Sequence, residues 1–236
     1  MCKKLFFIQC FKMKNEGVCF MLEQYKTIIK QGQQEIIEKK SRFIATVCPV
    51  KTEEEAKTFI EEMKKKYWNA THNVFAYQIG EQNEIQRFSD DGEPQGTAGM
   101  PVLDVLQREE IKNAVIVVTR YFGGTLLGTG GLVRTYGKAA KQALITSGIC
   151  EVILYKKFCV TVSYTNSGKV QYEILQNGYE LYDTLYTENV TYIVLVKWKQ
   201  CDFFLKKIID VTKNNVEIKE EETFYATWVN DKLEIV

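Results

Sequence analysis

The chain has 236 residues, 45% hydrophobic and 26% charged, with a formal net charge of +1. This composition suits a soluble protein of two small domains and excludes a bulk-charge, non-specific nucleic-acid binder. No apolar run nears the roughly 20 residues of a spanning helix, so an integral membrane protein is excluded as well.

The seven cysteines (Cys2, Cys10, Cys19, Cys48, Cys150, Cys159 and Cys201) are scattered, with no C-x-x-C pair and a single histidine. That argues against a zinc site or a disulfide framework and for reduced thiols in a cytoplasmic protein. Charge is unevenly spread: residues 1–20 carry +3, residues 21–150 carry +1 and residues 151–236 carry −3. A basic surface must therefore come from clustering on one face.

Residues 1–20 resemble a signal peptide faintly, but Lys12 and Lys14 break the apolar run and no small-residue cleavage site follows. They read as an extension outside the fold. Residues 24–29, 34–38 and 43–47 read as strands. Thr52 and Glu55 form a capping box for a helix that buries Ala56, Phe59, Ile60 and Met63 and closes on Lys64–Lys66. Residues 74–79 and 85–88 read as a strand pair.

A turn-rich acidic loop follows, Asp90-Asp-Gly-Glu-Pro-Gln-Gly-Thr97, and Thr97 is expected to cap the next helix. Two readings of the loop stand. Asp90, Asp91 and Glu93 would hold a Mg²⁺, or they complement a helix dipole with no ligand, which is favoured. His72 reads as a structural histidine, though it joins these three as a possible second site. No metal and no cofactor are expected.

Residues 113–119 form a continuous β-branched run, as in a strand buried on both faces. It feeds a glycine-rich turn and a helix ending near Ser147, with Gly148 as its stop. The turn holds Arg120, Tyr121, Phe122, Gly123, Gly124, Gly128, Gly130 and Gly131. A helix N-terminus behind glycines is an anion site, because its first N–H groups lack partners and carry the positive end of the dipole. Leu132, Val133, Tyr136, Ala140, Ala143 and Leu144 are expected to face the sheet, while Arg134, Lys138 and Lys141 form a basic stripe. Tyr121 and Phe122 would stack on bases. Equally, the glycines would serve close helix–sheet packing and the stripe would be solvated. Neither G-x-x-x-x-G-K-[ST] nor G-x-G-x-x-G occurs here, which excludes the common nucleotide folds.

Beyond Gly148 the pattern reads strand 152–164, a helix capped by Ser167, a hairpin of 179–186 and 191–198, helix 202–211 and strand 216–229. That order is the ferredoxin-like β-α-β-β-α-β. The domains are thus 21–149 and 150–236, an α+β two-domain chain.

Four motifs resemble the IMPACT/YigZ family: Lys40-Ser-Arg-Phe43, Ala70-Thr-His-Asn73 with Ala76-Tyr77, Asp90 to Gly99, and Thr119-Arg-Tyr-Phe-Gly-Gly-Thr-Leu-Leu-Gly128. The resemblance covers about Met21 to Gly148, with the C-terminal half similar to the ferredoxin-like domain of bacterial two-domain members. It implies an N-terminal mixed α/β sandwich like domain IV of elongation factor G and a ribosomal protein's second domain. It also implies a C-terminal domain like that factor's domains III and V.

In the family that the chain resembles, eukaryotic members regulate translation under amino-acid starvation through protein contacts with the activator of an initiation-factor kinase; they carry a different appended domain, so that partner is not expected here. Peptidase labels on some bacterial members find little support, since H-E-x-x-H and a recognisable triad are both missing. The expectation is an RNA- or ribosome-binding (tRNA or rRNA) regulator of translation, with possible protein partners and neither DNA nor membrane. The alternative is a metal-assisted enzyme on a small phosphorylated substrate. A plain protein-interaction module is the third reading. Convergence of the acidic loop and the glycine turn in a closed pocket would favour the enzyme; an open basic groove would favour RNA.

Overall fold

A computed structural model of the chain describes residues 21–230 and 232–236. The extension read at residues 1–20 lies outside the described residues. The architecture is two-domain α+β, with two sheets and five α-helices among the described residues. In the first part come β1 (Gln24–Ile28), β2 (Gly32–Glu38), β3 (Ser41–Pro49), α1 (Glu53–Lys66), β4 (His72–Ile79), β5 (Ile85–Ser89), α2 (Gly99–Arg108), β6 (Ala114–Tyr121) and α3 (Thr129–Ser147). The second part holds β7 (Ile149–Val162), α4 (Tyr164–Gln176), β8 (Glu180–Tyr186), β9 (Val190–Lys197), α5 (Cys201–Thr212), β10 (Glu217–Val229) and β11 (Lys232–Ile235).

The first sheet runs β2-β3-β6-β4-β5, each pair antiparallel. Side chains alternate across a strand, and β6 shows what its unbroken apolar run is for. Ile116 and Val118 enter the core under α2 and α3, while Val115 and Val117 enter the core under α1. Both faces of the strand are therefore dry, and the domain is a three-layer sandwich.

α1 starts as expected, the Thr52 hydroxyl accepting from the Glu55 N–H at 3.2 Å, but the Glu55 carboxylate takes the Lys51 N–H instead of closing the box. α2 does not start as expected. Its Thr97 hydroxyl donates to the Pro94 carbonyl, and the helix start is capped from a distance by Asp90. In α3, Leu132, Tyr136, Ala140, Ala143 and Leu144 are buried, but Val133 is 41% exposed and faces solvent. The alanines let α3 lie close enough that a Cβ on Gly32 would meet the Ser147 backbone at 2.7 Å.

The second sheet runs β11-β10-β7-β9-β8, with α4 and α5 over the core of Phe158, Val160, Val194, Val196, Phe204 and Ile208. The four strands β7 to β10 thus realise the split β-α-β order read from the sequence. Two details differ. α4 begins at Tyr164, because the Ser163 carbonyl already accepts the N–H groups of Asn166 and Ser167, so Ser167 sits inside the first turn. β11 is a short strand that turns back on β10, and the sequence reading ended before it.

β1 precedes the first sheet in the chain yet pairs with β7 of the second, Gln24 opposite Ile153 through Ile28 opposite Ile149. It is also tied to the first domain, with the Lys112 N–H donating to the Lys26 carbonyl at 2.8 Å and the Thr27 hydroxyl donating to the Lys112 carbonyl at 2.8 Å. The chain therefore joins the two sheets twice, through β1 and through Gly148.

Tyr25, at this junction, and Tyr77, which donates to Glu53 at 2.7 Å, are both pushed up to about 12, chiefly by burial and secondarily by nearby carboxylates. The folded values lie above the unfolded value near 10, so this stabilisation is complete below pH ~10 and is lost as pH rises towards 12. Urea unfolding across that window should show stability falling, with a shallower slope in a Tyr25→Phe/Tyr77→Phe double variant. An unchanged slope in the double variant would show that these phenols do not carry the linkage.

Candidate functional site

The site is assembled by strand register. Phe43 on β3 and His72 on β4 both stand opposite Arg120 on β6, so the three are neighbours across one end of the sheet. Period-two alternation sends the Arg120 side chain to the same face as Ile116 and Val118, under α3. A charge on that face is expensive unless paired. Glu93, from the acidic loop, supplies the pair: Arg120 Nη1 donates to Glu93 Oε1 at 2.6 Å, with Arg120 5% and Glu93 8% exposed.

One further donor holds the same carboxylate, and a histidine lies beside it. The Tyr136 hydroxyl of α3 donates to Glu93 Oε1 at 2.7 Å, and His72 Nε2 lies 3.8 Å from it. Burial, then the Glu93 charge, holds the Tyr136 phenol far above its ordinary range, so it stays a neutral donor. His72 Nδ1 sits 2.7 Å from the Asp91 carbonyl, which requires the proton on Nδ1 and leaves Nε2 facing the cluster. The guanidinium of Arg120 lies between two rings, 5.3 Å from the Phe43 centroid and 5.5 Å from that of Phe122.

Several expectations need correction here. Arg120 is a buried structural cation, not an exposed phosphate ligand. Asp90 and Asp91 do not join Glu93 as a metal triad. Asp90 accepts the N–H groups of Gly96, Ala98 and Gly99, and Asp91 accepts that of Asn73 at 2.6 Å. Backbone donors thus occupy both carboxylates, and the described residues contain no group of three such side chains placed for a metal. Tyr121 faces the α1 side, its hydroxyl bound to Asn69 and its ring under Arg42. Lys141 is exposed but already paired with Glu109 at 2.8 Å.

The glycines divide by role. Gly123 allows close approach: a Cβ there would lie 2.0 Å from the Lys40 carbonyl carbon. Gly128 precedes α3 with φ 74°, a left-handed conformation that leaves the helix start without a side-chain cap. Gly124 also has positive φ, and Gly130 and Gly131 lie in the first turn of α3. The uncapped end of α3 opens on a pocket of about 340 Å³, lined by His72, Glu93, Arg120, Phe122, Leu126 and Thr129 among others. That is at the small end of the roughly 300–1,000 Å³ usual for small-ligand sites. The acidic loop and the glycine turn thus meet in one pocket, through Glu93 and Pro94, with Glu93 its one carboxylate. A larger cleft of about 540 Å³ lies between the domains, with a mainly apolar lining that includes none of these residues.

Around the pocket the surface is basic and aromatic. Phe122 is 46% and Leu126 82% exposed, and Arg134 and Lys138 are exposed on the outer face of α3. Beside Gly123, the β2–β3 hairpin turns on Lys39 (φ 45°) and Lys40 (φ 66°), both exposed and both left-handed. Left-handed lysines are strained, a feature that clusters at functional sites.

The sequence reading missed three members. Ser41 Oγ accepts from Gly123 N–H at 3.2 Å and from Arg120 Nη2, the Thr71 hydroxyl accepts the Phe122 N–H, and Tyr136 grips Glu93. Ser41 and Thr71 lie inside two of the quoted motifs, which was the available signal.

Comparison with known proteins is consistent across the chain. Residues 39–144 match the Impact N-terminal domain and residues 160–215 match a domain of unknown function, DUF1949. The IMPACT family member YvyE of Bacillus subtilis is 43% identical over 205 residues, 87% of this chain and 94% of that protein. YigZ of Escherichia coli is 45% identical over 108 residues, covering 45% of this chain and 53% of its own length. Mouse Protein IMPACT is 38% identical over 98 residues, 39% of this chain and 30% of that protein. A crystal structure of a hypothetical protein superposes with a TM-score of 0.55 at 28% identity, covering 86% of this chain and 99% of that one.

The buried cluster makes a stability prediction. Glu93→Gln leaves Arg120 without its counter-charge and should cost about 3–5 kcal/mol. Tyr136→Phe removes one hydrogen bond to a charge and should cost about 1.5–3 kcal/mol. Urea unfolding measures both; a Glu93→Gln cost smaller than that of Tyr136→Phe would mean the ion pair does not pin this end of the sheet.

Proposed function

The chain belongs to the IMPACT family, and from that membership we propose that it is an RNA- or ribosome-associated protein acting in translation regulation. The observation that carries the reading is the open end of α3. An uncapped 19-residue helix meets a half-exposed Phe122, with Arg134 and Lys138 exposed on its solvent face and in no ion pair among the described residues. Helix N-termini and exposed cations take phosphates, and an exposed ring takes a base of either kind. The Lys39–Lys40 tip extends the same surface, because Gly123 holds the turn against the Lys40 backbone.

The likeness to domain IV of elongation factor G for the first domain, and to that factor's domains III and V for the second, belongs to this proposal. The three-layer first domain and the split β-α-β second domain are compatible with it. The metal-assisted alternative loses two of its intended ligands, since Asp90 and Asp91 are committed to backbone N–H groups. The contacting set is accordingly Phe122, Arg134 and Lys138 with the first turn of α3, and Arg120 positions that turn from below.

Binding of single-stranded tRNA or rRNA fragments by the full chain should weaken with salt, with a log–log slope of about −0.7 per phosphate contact. Arg134→Glu/Lys138→Glu should lower affinity and flatten that slope, and Phe122→Ala should cost about 1–3 kcal/mol. Absence of binding, or affinity indifferent to the charge reversal, sinks the proposal.

A further inference from the structure

We propose that Trp68 is a second stacking platform for single-stranded RNA, so that a strand lying on the basic face of α3 crosses the end of the first sheet over Phe122 and continues onto the α1 side. This rests on the RNA reading, and adds to it the path of the strand and the residue that receives its far end.

Trp68 stands in the turn from α1 to β4 and is 81% exposed, more than any other aromatic side chain among the described residues. A lone exposed apolar side chain needs no explanation. This one sits in a turn that is tied down on both sides. The Ala70 N–H donates to the Tyr67 carbonyl at 3.0 Å, which sets Trp68 at the first central position of a β-turn. The Tyr67 hydroxyl donates to Gln33, the Asn69 side chain accepts from the Tyr121 hydroxyl, and the buried Asn73 amide donates to the Tyr67 carbonyl. The Thr71 N–H donates to the Arg120 carbonyl at 2.9 Å. The backbone around the indole is thus fixed to the sheet, while the ring itself is left in water. A rigid ring with two side-chain torsions, on a fixed turn, loses little entropy when a partner covers it.

The same hydrogen bonds join Trp68 to the surface of α3. Thr71, three residues on, accepts the Phe122 N–H at 3.1 Å. Three residues reach at most about 11 Å, so Trp68 and Phe122 fall within a strand of about four nucleotides, the low end of single-strand sites. Phe122 lines the pocket below α3, whereas Trp68 follows α1, which packs on the opposite face of the sheet. A strand that meets both rings therefore passes over the sheet's end, beside the Lys39–Lys40 tip.

Charge along this path suits a phosphate backbone. α1 ends in Lys64–Lys66, and of the last two carboxylates on that helix Glu61 is paired with Lys64 while Glu62 lines a groove with Cys48. Stacking on an aromatic face is tolerant of sequence, because every base has a π-face. The two rings would accordingly tell a single strand from a duplex, whose bases are already stacked, and not one sequence from another.

The test titrates the full chain with an unstructured oligoribonucleotide of about 12 nucleotides, within the usual range of single-strand sites, while following tryptophan emission and stoichiometry. A bound strand should quench the wild-type emission. Trp68→Phe should remove most of that change, because the other two tryptophans, Trp198 and Trp228, lie in the second domain. Trp68→Ala should weaken the strand about tenfold, and Trp68→Phe, which keeps a ring, much less. Since the side chain is in water, neither variant should move the urea midpoint. One strand should bind per chain, with Trp68→Ala and Phe122→Ala each weakening that same complex, and a duplex of the same sequence should leave the emission unchanged.

Strand binding with emission and affinity indifferent to Trp68 overturns the inference and leaves the RNA reading intact. Quenching by the duplex equal to that by the single strand overturns stacking as its cause. Two strands per chain, one lost in Phe122→Ala and the other in Trp68→Ala, overturns the path. No strand bound by the wild-type chain defeats the RNA reading, and the inference falls with it.

Discussion

Burying a guanidinium under α3 is the constraint from which the rest of the first domain's open end follows. The alternation of β6 places Arg120 on the core face, where an unpaired cation would cost several kcal/mol. The partner comes from a loop 27 residues earlier in the chain, so the acidic loop must cross to the end of the sheet. Once Glu93 is there, the loop's other carboxylates fall where backbone donors need them: Asp90 on the start of α2, and Asp91 on the edge of β4. Tyr136 extends the same pair into α3, which fixes the height at which that helix begins. One ion pair thus connects the loop, three strands and two helices.

This explains which parts of the site were legible in the sequence. Elements with a single periodicity could be read directly. The β-branched run of β6, the capped and amphipathic α1 and the glycine stop of α3 depend on neighbours within a few residues. The β-α-β-β-α-β order followed from the alternation of such segments. The glycine turn and the exposed Arg134 and Lys138 were found in the same way, because a helix start and its solvent face are local features.

What could not be read was the direction of each polar side chain at the strand ends. Arg120 looks like a surface cation at the end of a strand until the register shows Phe43 and His72 on either side of it. Asp90 looks like a metal ligand until Ala98 and Gly99, eight and nine residues away, are seen to donate to it. Thr97 is a better local cap than Asp90 by composition, yet its hydroxyl turns back on Pro94. The pairing of β1 with β7 has a separation in sequence that no local pattern can encode. In each case the deciding partner is distant in sequence.

The same logic separates structure from recognition. Charges that build the site are matched: buried Arg120 with buried Glu93, and half-buried Asp90 and exposed Asp91 with backbone N–H groups. Charges available to a partner are the exposed ones on α3 and the left-handed Lys39–Lys40 tip. Because the cluster holds one cation and three carboxylates, it offers an anion no long-range attraction, and steering falls to the exposed cations and is screened by salt. In a chain with a net charge of +1, the cations free to meet a partner are therefore a local feature of one helix face and one hairpin tip, not a property of the whole surface.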